Sequence, residues 1–224
     1  VGNLIGVDAA GTLALANGGP GVLVTNGGTG NRIGSVSGGV RNRIANNSGP
    51  GVAVTQNSTG NAILGSEIYA NGGLGIDLGD VGVTANDVRD TDSGPNRLQN
   101  FPVLDSAQPS GANLAIVGSL HSAPGTTYRV EFYASATGDA SGHGQARTWL
   151  GHTTVTTDAA GDATFSAVVG TAPVGHAITA TATEDLGGGT YGDTSEFAAN
   201  VTVSNPPVIT SDGGGATASV NAAE

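Results

Sequence analysis

Asn47-Ser48-Gly49-Pro50-Gly51-Val52-Ala53-Val54 decides how this chain folds, because the same phrase stands on either side of it. Asn17-Gly18-Gly19-Pro20-Gly21-Val22-Leu23-Val24 precedes it, and Asn71-Gly72-Gly73-Leu74-Gly75-Ile76-Asp77-Leu78 follows. A second phrase is interleaved: Gly2-Asn3-Leu4-Ile5-Gly6, Gly30-Asn31-Arg32-Ile33-Gly34 and Gly60-Asn61-Ala62-Ile63-Leu64-Gly65, with a looser copy at Arg41-Asn42-Arg43-Ile44. Recurrence at roughly 20 to 50 residues marks a stacked repeat. Each phrase predicts a strand of about three to five residues, which cannot stand alone. Stacking puts Val22, Val52 and Ile76 in one aliphatic column and Ile5, Ile33 and Ile63 in another. The sharp corners call for glycine, which tolerates positive φ, and for asparagine, whose amide bonds the backbone or the same Asn one turn away. A surface ligand ladder at Asn17, Asn47 and Asn71 is the weaker alternative.

These phrases, with the run Gly75-Ile76-Asp77-Leu78-Gly79-Asp80 and the exit Leu98-Gln99-Asn100-Phe101-Pro102-Val103-Leu104, resemble the bacterial right-handed parallel β-helix repeat proteins. Such repeats form one module of large secreted or surface-anchored proteins. The resemblance covers residues 1–104 and implies a short right-handed β-helix of about three rungs; it says almost nothing about activity.

Beyond Leu104 the alternation changes to period two. Leu114, Ile116 and Leu120 share a face, as do Tyr128, Val130, Phe132 and Ala134, with Arg129, Glu131 and Tyr133 opposite. Ala163-Phe165-Ala167-Val169, Ile178-Ala180-Ala182 and Phe197-Ala199-Val201-Val203 continue the pattern between turn clusters, which predicts an antiparallel sandwich over 105–203. The runs Tyr128 to Tyr133, Leu150 to Val155 and Asp193 to Phe197 resemble the Ig-like sandwich that follows such β-helices. Residues 204–224 read as a linker at Ser204-Asn205-Pro206-Pro207 and then Val208-Ile209-Thr210 and a lone strand, Thr217, Ala218, Ser219, Val220 and Asn221, resembling the opening of a cadherin-like repeat. That strand is expected to pair between subunits. The fold class is thus all-β, with 39 glycines and 4% aromatic residues across 224 residues.

Charge excludes some functions. Eighteen acidic residues against seven basic ones, all arginine, give a net charge of −11, which repels nucleic acid and anionic membranes. Nothing approaches the roughly 18 consecutive apolar residues of a membrane span. Cysteine is absent, removing disulfides and thiol chemistry. A first residue that is not Met, inside a repeat phrase, suggests a segment of a longer extracellular or cell-surface protein.

The strongest candidate for chemistry is acidic. Asp90-Thr91-Asp92-Ser93-Gly94-Pro95-Asn96 sets oxygen ligands at alternate positions before a glycine, and Asp87 stands close by, a pattern suited to calcium. Asp87, Asp90, Asp92 and Asn96 are therefore the candidate metal residues, although the distal glutamate of an EF-hand is missing. Gly72-Gly73-Leu74-Gly75-Ile76-Asp77 nearly matches a calcium-binding nonapeptide, but Leu23 and Ala53 replace the aspartate in the aligned copies. Polysaccharide cleavage, found among β-helix relatives, needs a base and a cationic stabiliser. There is no lysine, and Arg32, Arg41 and Arg43 have few acids nearby. The four histidines lack ligand spacing, and Trp149 reads as a packing residue. The expectation is a non-catalytic structural module of a secreted bacterial surface protein, a filament, sheath or adhesin subunit that self-associates head to tail. The alternatives are a polysaccharide-binding or -cleaving protein and a calcium-dependent adhesion module.

Overall fold

The computed structural model describes residues 1–36, 39–206, 208–210 and 219–221. The amino-terminal part is a coil of short parallel strands. Its first turn carries β1 (Leu4–Ile5), β2 (Val22–Val24) and β3 (Arg32–Gly34). The second carries β4 (Arg43–Ala45), β5 (Val52–Val54) and β6 (Ala62–Leu64), and the third carries β7 (Glu67–Tyr69) and β8 (Ile76–Leu78). Three parallel sheets run along the coil, in the orders β1-β4-β7, β2-β5-β8 and β3-β6.

Register follows the repeat. Val22 pairs with Val52, and Val52 with Ile76, so that expected column forms. The second expected column does not. Ile5 stacks on Ile44 and Ile68, whereas Ile33 stacks on Ile63 in a different sheet. The reason lies in the corner chemistry: the Gly-Asn-x-Ile phrase serves two sides of each turn, so copies alike in sequence belong alternately to two columns. Burial deepens along the coil. Leu23 is 55% exposed in the first turn, whereas Ala53 and Val52 in the second are at most 1% exposed. Burying a Val or Ile side chain contributes about 1.5–3 kcal/mol, so the second and third turns hold most of the coil's apolar stabilisation.

The carboxy-terminal part is a two-sheet sandwich. Strands β9 (Val103–Ser110), β10 (Asn113–His121), β11 (Thr127–Ser135), β12 (Thr148–Thr156), β13 (Asp162–Val169), β14 (Ala177–Gly187), β15 (Thr190–Thr194) and β16 (Val201–Thr202) form it. One sheet has the order β13-β10-β9; the other has β12-β11-β14-β15, with β16 also on β14. Adjacent strands are antiparallel throughout both sheets. Leu114, Ile116, Leu120, Tyr128, Val130 and Phe132 fill the space between them as the alternation requires. Phe197 departs from expectation: it packs with Tyr133 and Ala146 against the coil's aliphatic columns, while its neighbour Ala198 enters the sandwich core. Only Val201–Thr202 of that run is strand, because the preceding residues turn toward the coil.

In the tail, β17 (Val208–Thr210) pairs antiparallel with β18 (Ser219–Asn221), so the strand expected to stand alone has a partner within the chain, because Val208-Ile209-Thr210 is itself strand-forming. Thr217 and Ala218 lie outside the described residues. Among the described residues, no helix is long and apolar enough to cross a membrane.

Candidate functional site

Every coil ends in a row of bare backbone amides, and an unsatisfied buried N–H costs about 1–3 kcal/mol. Here the sandwich supplies the acceptors. Gly65 N–H donates to Glu131 Oε2 at 2.7 Å, Ile63 N–H to Thr194 Oγ1 at 2.9 Å and Leu78 N–H to Glu196 Oε1 at 2.9 Å. Gly60 N–H donates to Asp193, and Ile68 exchanges two backbone bonds with Ala146, at 2.7 and 2.6 Å. The asparagine columns are finished in the same way. Asn3 donates to Asn42, Asn17 to Asn47 and Asn47 to Asn71, each through its side-chain amide at 2.8–3.0 Å. Asn71 then donates to Gln145 Oε1, and Gln145 returns Nε2 to the Asn71 carbonyl. Asn31 donates to Asn61, whose N–H meets Asn96 Oδ1. Asparagine thus bridges turn to turn; of the column members Asn96 has a positive φ, whereas the coil's other left-handed non-glycine positions fall outside the columns, at Asn26, Asn46, Gln56, Asn57, Ala70 and Asp80.

At the centre of the junction Glu131 is fully buried on the face of β11 away from the sandwich core. Besides Gly65 it accepts two bonds from Arg129 at 2.9 and 3.0 Å, one from Tyr133 Oη at 2.9 Å and one from Trp149 Nε1 at 3.2 Å. Arg41 of the coil, bonded to the Gly65 carbonyl, lays its guanidinium over Trp149 at 4.1 Å. The coil's other arginines are also engaged: Arg43 pairs with Glu67 at 3.0 Å, and Arg32 lies over Tyr191 at 5.7 Å. Glu196 accepts from Thr84 N–H as well, and burial pushes its carboxyl up to about 7. Burial also raises Asp193 and Asp77 above the usual carboxylate range.

The acidic loop forms a second cluster. Asp87, Asp90 and Asp92 bring carboxylate oxygens within 4.8 Å of one another. Asp90 is fixed by Asn100 N–H at 3.0 Å and Ser122 Oγ at 2.9 Å, and burial pushes it up to about 6. Asp87 Oδ2 accepts from Thr91, but Asp87 Oδ1 and Asp92 Oδ1 are buried with no hydrogen-bond partner. Asn96 stands apart from this cluster, at the foot of the Asn31–Asn61 column, donating Nδ2 to the Asn61 and Thr194 carbonyls. Three of the four residues picked out by spacing therefore meet. A hard cation accepts such an oxygen-only donor set, and Asp87, Asp90 and Asp92 would hold it.

Sequence reasoning missed Gln145, Glu131, Asp193, Thr194 and Glu196 as the residues that close the coil. Two signals were present: the polar block Asp193-Thr194-Ser195-Glu196 inside an apolar module, and an Arg-x-Glu-x-Tyr face on a strand whose other face is core. Neither identifies its partner, because the acceptors answer backbone amides that no sequence pattern marks. No family model matches this chain, and no curated protein matches it.

Proposed function

We propose that this chain is a non-catalytic structural module of a secreted bacterial surface protein: a short right-handed β-helix closed by an Ig-like sandwich, working as a filament, sheath or adhesin subunit. The observation that carries the reading is the use made of the buried polar groups. Glu131, Asp193, Glu196, Thr194 and Gln145 each bind the backbone of the coil's second or third turn, so they hold two modules as one unit. Catalytic groups need freedom to exchange protons with a substrate, and these are engaged in fixed bonds. Head-to-tail association through the tail strand, Thr217 to Asn221, belongs to the same proposal. Electron microscopy of the purified chain, with and without residues 205–224, tests it: regular particles that depend on the tail support it, and release of shortened or unsaturated sugars from acidic polysaccharides overturns it.

A second reading, calcium-dependent adhesion, is favoured by the two partnerless carboxylate oxygens at Asp87 and Asp92. A bound cation would satisfy both and stitch the exit loop to Ser122 of the sandwich. Titration with calcium, read by calorimetry on the full chain and on Asp92→Asn, separates the two readings. Micromolar to millimolar binding lost in the variant supports the cation; no heat in either chain sinks it.

A further inference from the structure

The two edges of the β13-β10-β9 sheet are treated differently. On the β9 edge Pro109 has no N–H to offer, a bulge breaks the register at Val117 and Gly118, and Ser204 N–H donates to the Ala107 carbonyl at 3.1 Å. Such devices keep an edge from pairing with another chain. The other edge, β13 (Asp162–Val169), has none of them. Its eight residues run in unbroken register along β10, without proline and without a charge after Asp162.

Three contacts fix which way the β13 backbone points. The Gly161 carbonyl accepts from Ser122 N–H at 2.9 Å, so the odd-numbered residues face β10. Asp162 N–H donates to Asp158 Oδ1 and Gly170 N–H to the Leu150 carbonyl, at 3.0 and 2.8 Å, both away from β10. Direction alternates along an antiparallel ladder, so Thr164, Ser166 and Val168 turn N–H and C=O outward. Among the described residues these groups have no hydrogen-bond partner. Their side chains are exposed too, Val168 to 64%. The nearby β12 edge is a poorer template, since a bulge interrupts it and Gly170 occupies its Leu150 carbonyl.

We propose that β13 pairs antiparallel with β13 of a second copy, so that two three-stranded sheets become one continuous sheet about a two-fold axis at Ser166. In that register Ser166 faces its own counterpart and Thr164 faces Val168, and each such pair exchanges two N–H···O bonds. Thr164 beside Val168 is a favourable β-branched cross-strand pair. Charge selects the direction. The chain carries a net −11, so copies meet only where carboxylates stay apart. Antiparallel pairing puts the two Asp162 side chains at opposite ends of the ladder, about 27 Å apart at roughly 3.4 Å per residue, well beyond the Debye length of about 8 Å in physiological salt. Parallel pairing would set them side by side at about 4.8 Å. The chain's own tail strand is not the occupant, because Ser219–Asn221 is already paired with Val208–Thr210. The contact is a closed two-fold pair that uses no tail residue, so it goes beyond the head-to-tail reading and does not rest on it.

Sedimentation of the full chain from about 10 μM to about 1 mM, in physiological salt, tests the pairing. A strand-edge contact is small and therefore weak, so a monomer–dimer equilibrium is expected in the upper part of that range; a chain still monomeric at the top of it overturns the proposal. Ser166→Lys and Ser166→Glu each bring like charges together on the axis and should weaken the dimer by about tenfold or more, whereas an equimolar mixture of the two should recover it. A dimer unchanged in either variant, or no recovery on mixing, overturns the register. A readout on the unsubstituted chain does not depend on how the variants fold. Amide exchange at Thr164, Ser166 and Val168 should slow as concentration rises, while Phe165 and Ala167, already bonded to β10, should not change. A dimer that leaves those three amides unprotected overturns the proposal, and so does one that vanishes when residues 205–224 are deleted, because the contact then belongs to the tail.

Discussion

Asn47→Ala isolates what one rung of an asparagine column contributes. Asn47 is 1% exposed; it accepts from Asn17 Nδ2 at 2.8 Å and, weakly, from Asn17 N–H at 3.4 Å, and it donates to Asn71 Oδ1 at 2.9 Å. Alanine removes all three and leaves Asn71 Oδ1 with the Asn47 backbone N–H at 3.1 Å. With about 1 kcal/mol for each good bond and a further desolvation cost for the deprived buried groups, the loss comes to about 2–4 kcal/mol. Asn17→Ala is the internal control: Asn17 is exposed, water replaces its side chain, and the expected cost is about 1 kcal/mol or less. Neither position has a positive φ, so backbone strain does not enter. Urea unfolding of both variants, with the slope checked for constancy, gives the comparison. If Asn47→Ala costs no more than Asn17→Ala, the columns are not a source of stability and the account of the coil fails.

Glu196 and Asp90, raised by burial to about 7 and about 6, bind protons more readily folded than unfolded. Their contribution is full below the unfolded values and is lost as pH rises through about 6–7, so without calcium the unfolding midpoint should be higher at pH 5 than at pH 8. Glu196→Gln should remove most of that slope, which at 1.36 kcal/mol per pKa unit amounts to about 3 kcal/mol at most; a midpoint that climbs from pH 5 to 8 contradicts this. Gly75→Ala places a Cβ 2.5 Å from the Phe197 ring and should cost about 1–3 kcal/mol by calorimetry, whereas Gly18→Ala, with open space around it, should be neutral. Equal melting of the two would dissolve the claimed contact. Glu131→Ala strands Arg129, only 5% exposed, and should cost about 3–5 kcal/mol together with a shift in Trp149 fluorescence; a loss under about 1 kcal/mol would mean that water reaches the junction.

Much of the architecture was legible because stacking writes itself into the chain as repetition. Val22, Val52 and Ile76 announce their column, and the strict alternation around Leu114 to Leu120 and Tyr128 to Ala134 announces the sandwich core. Assigning Ile5 was harder, since its phrase matches two sides of the coil equally well and only closure of each turn distinguishes them. Phe197 was misplaced because the period-two run of Val201 and Val203 was extended back to it, whereas β15 has ended at Thr194 and Phe197 packs against the coil. In the acidic loop, spacing found Asp87, Asp90 and Asp92, but counted Asn96 with them. Asn96 belongs to a column whose other members lie 35 and more residues earlier, a relation that only the folded chain reveals.

Because the sandwich furnishes the acceptors for the coil's last amides, the order of synthesis matters. The coil leaves the ribosome first, yet Gly65 waits 66 residues for Glu131, Leu78 waits 118 for Glu196 and Gly60 waits 133 for Asp193. Throughout that interval the nascent chain carries an exposed sheet edge, the kind of surface that recruits foreign strands. Residues 1–104 carry seven acidic residues against five arginines, so charge repulsion protects the half-finished coil little, and most of the chain's negative charge emerges only with the sandwich that closes it.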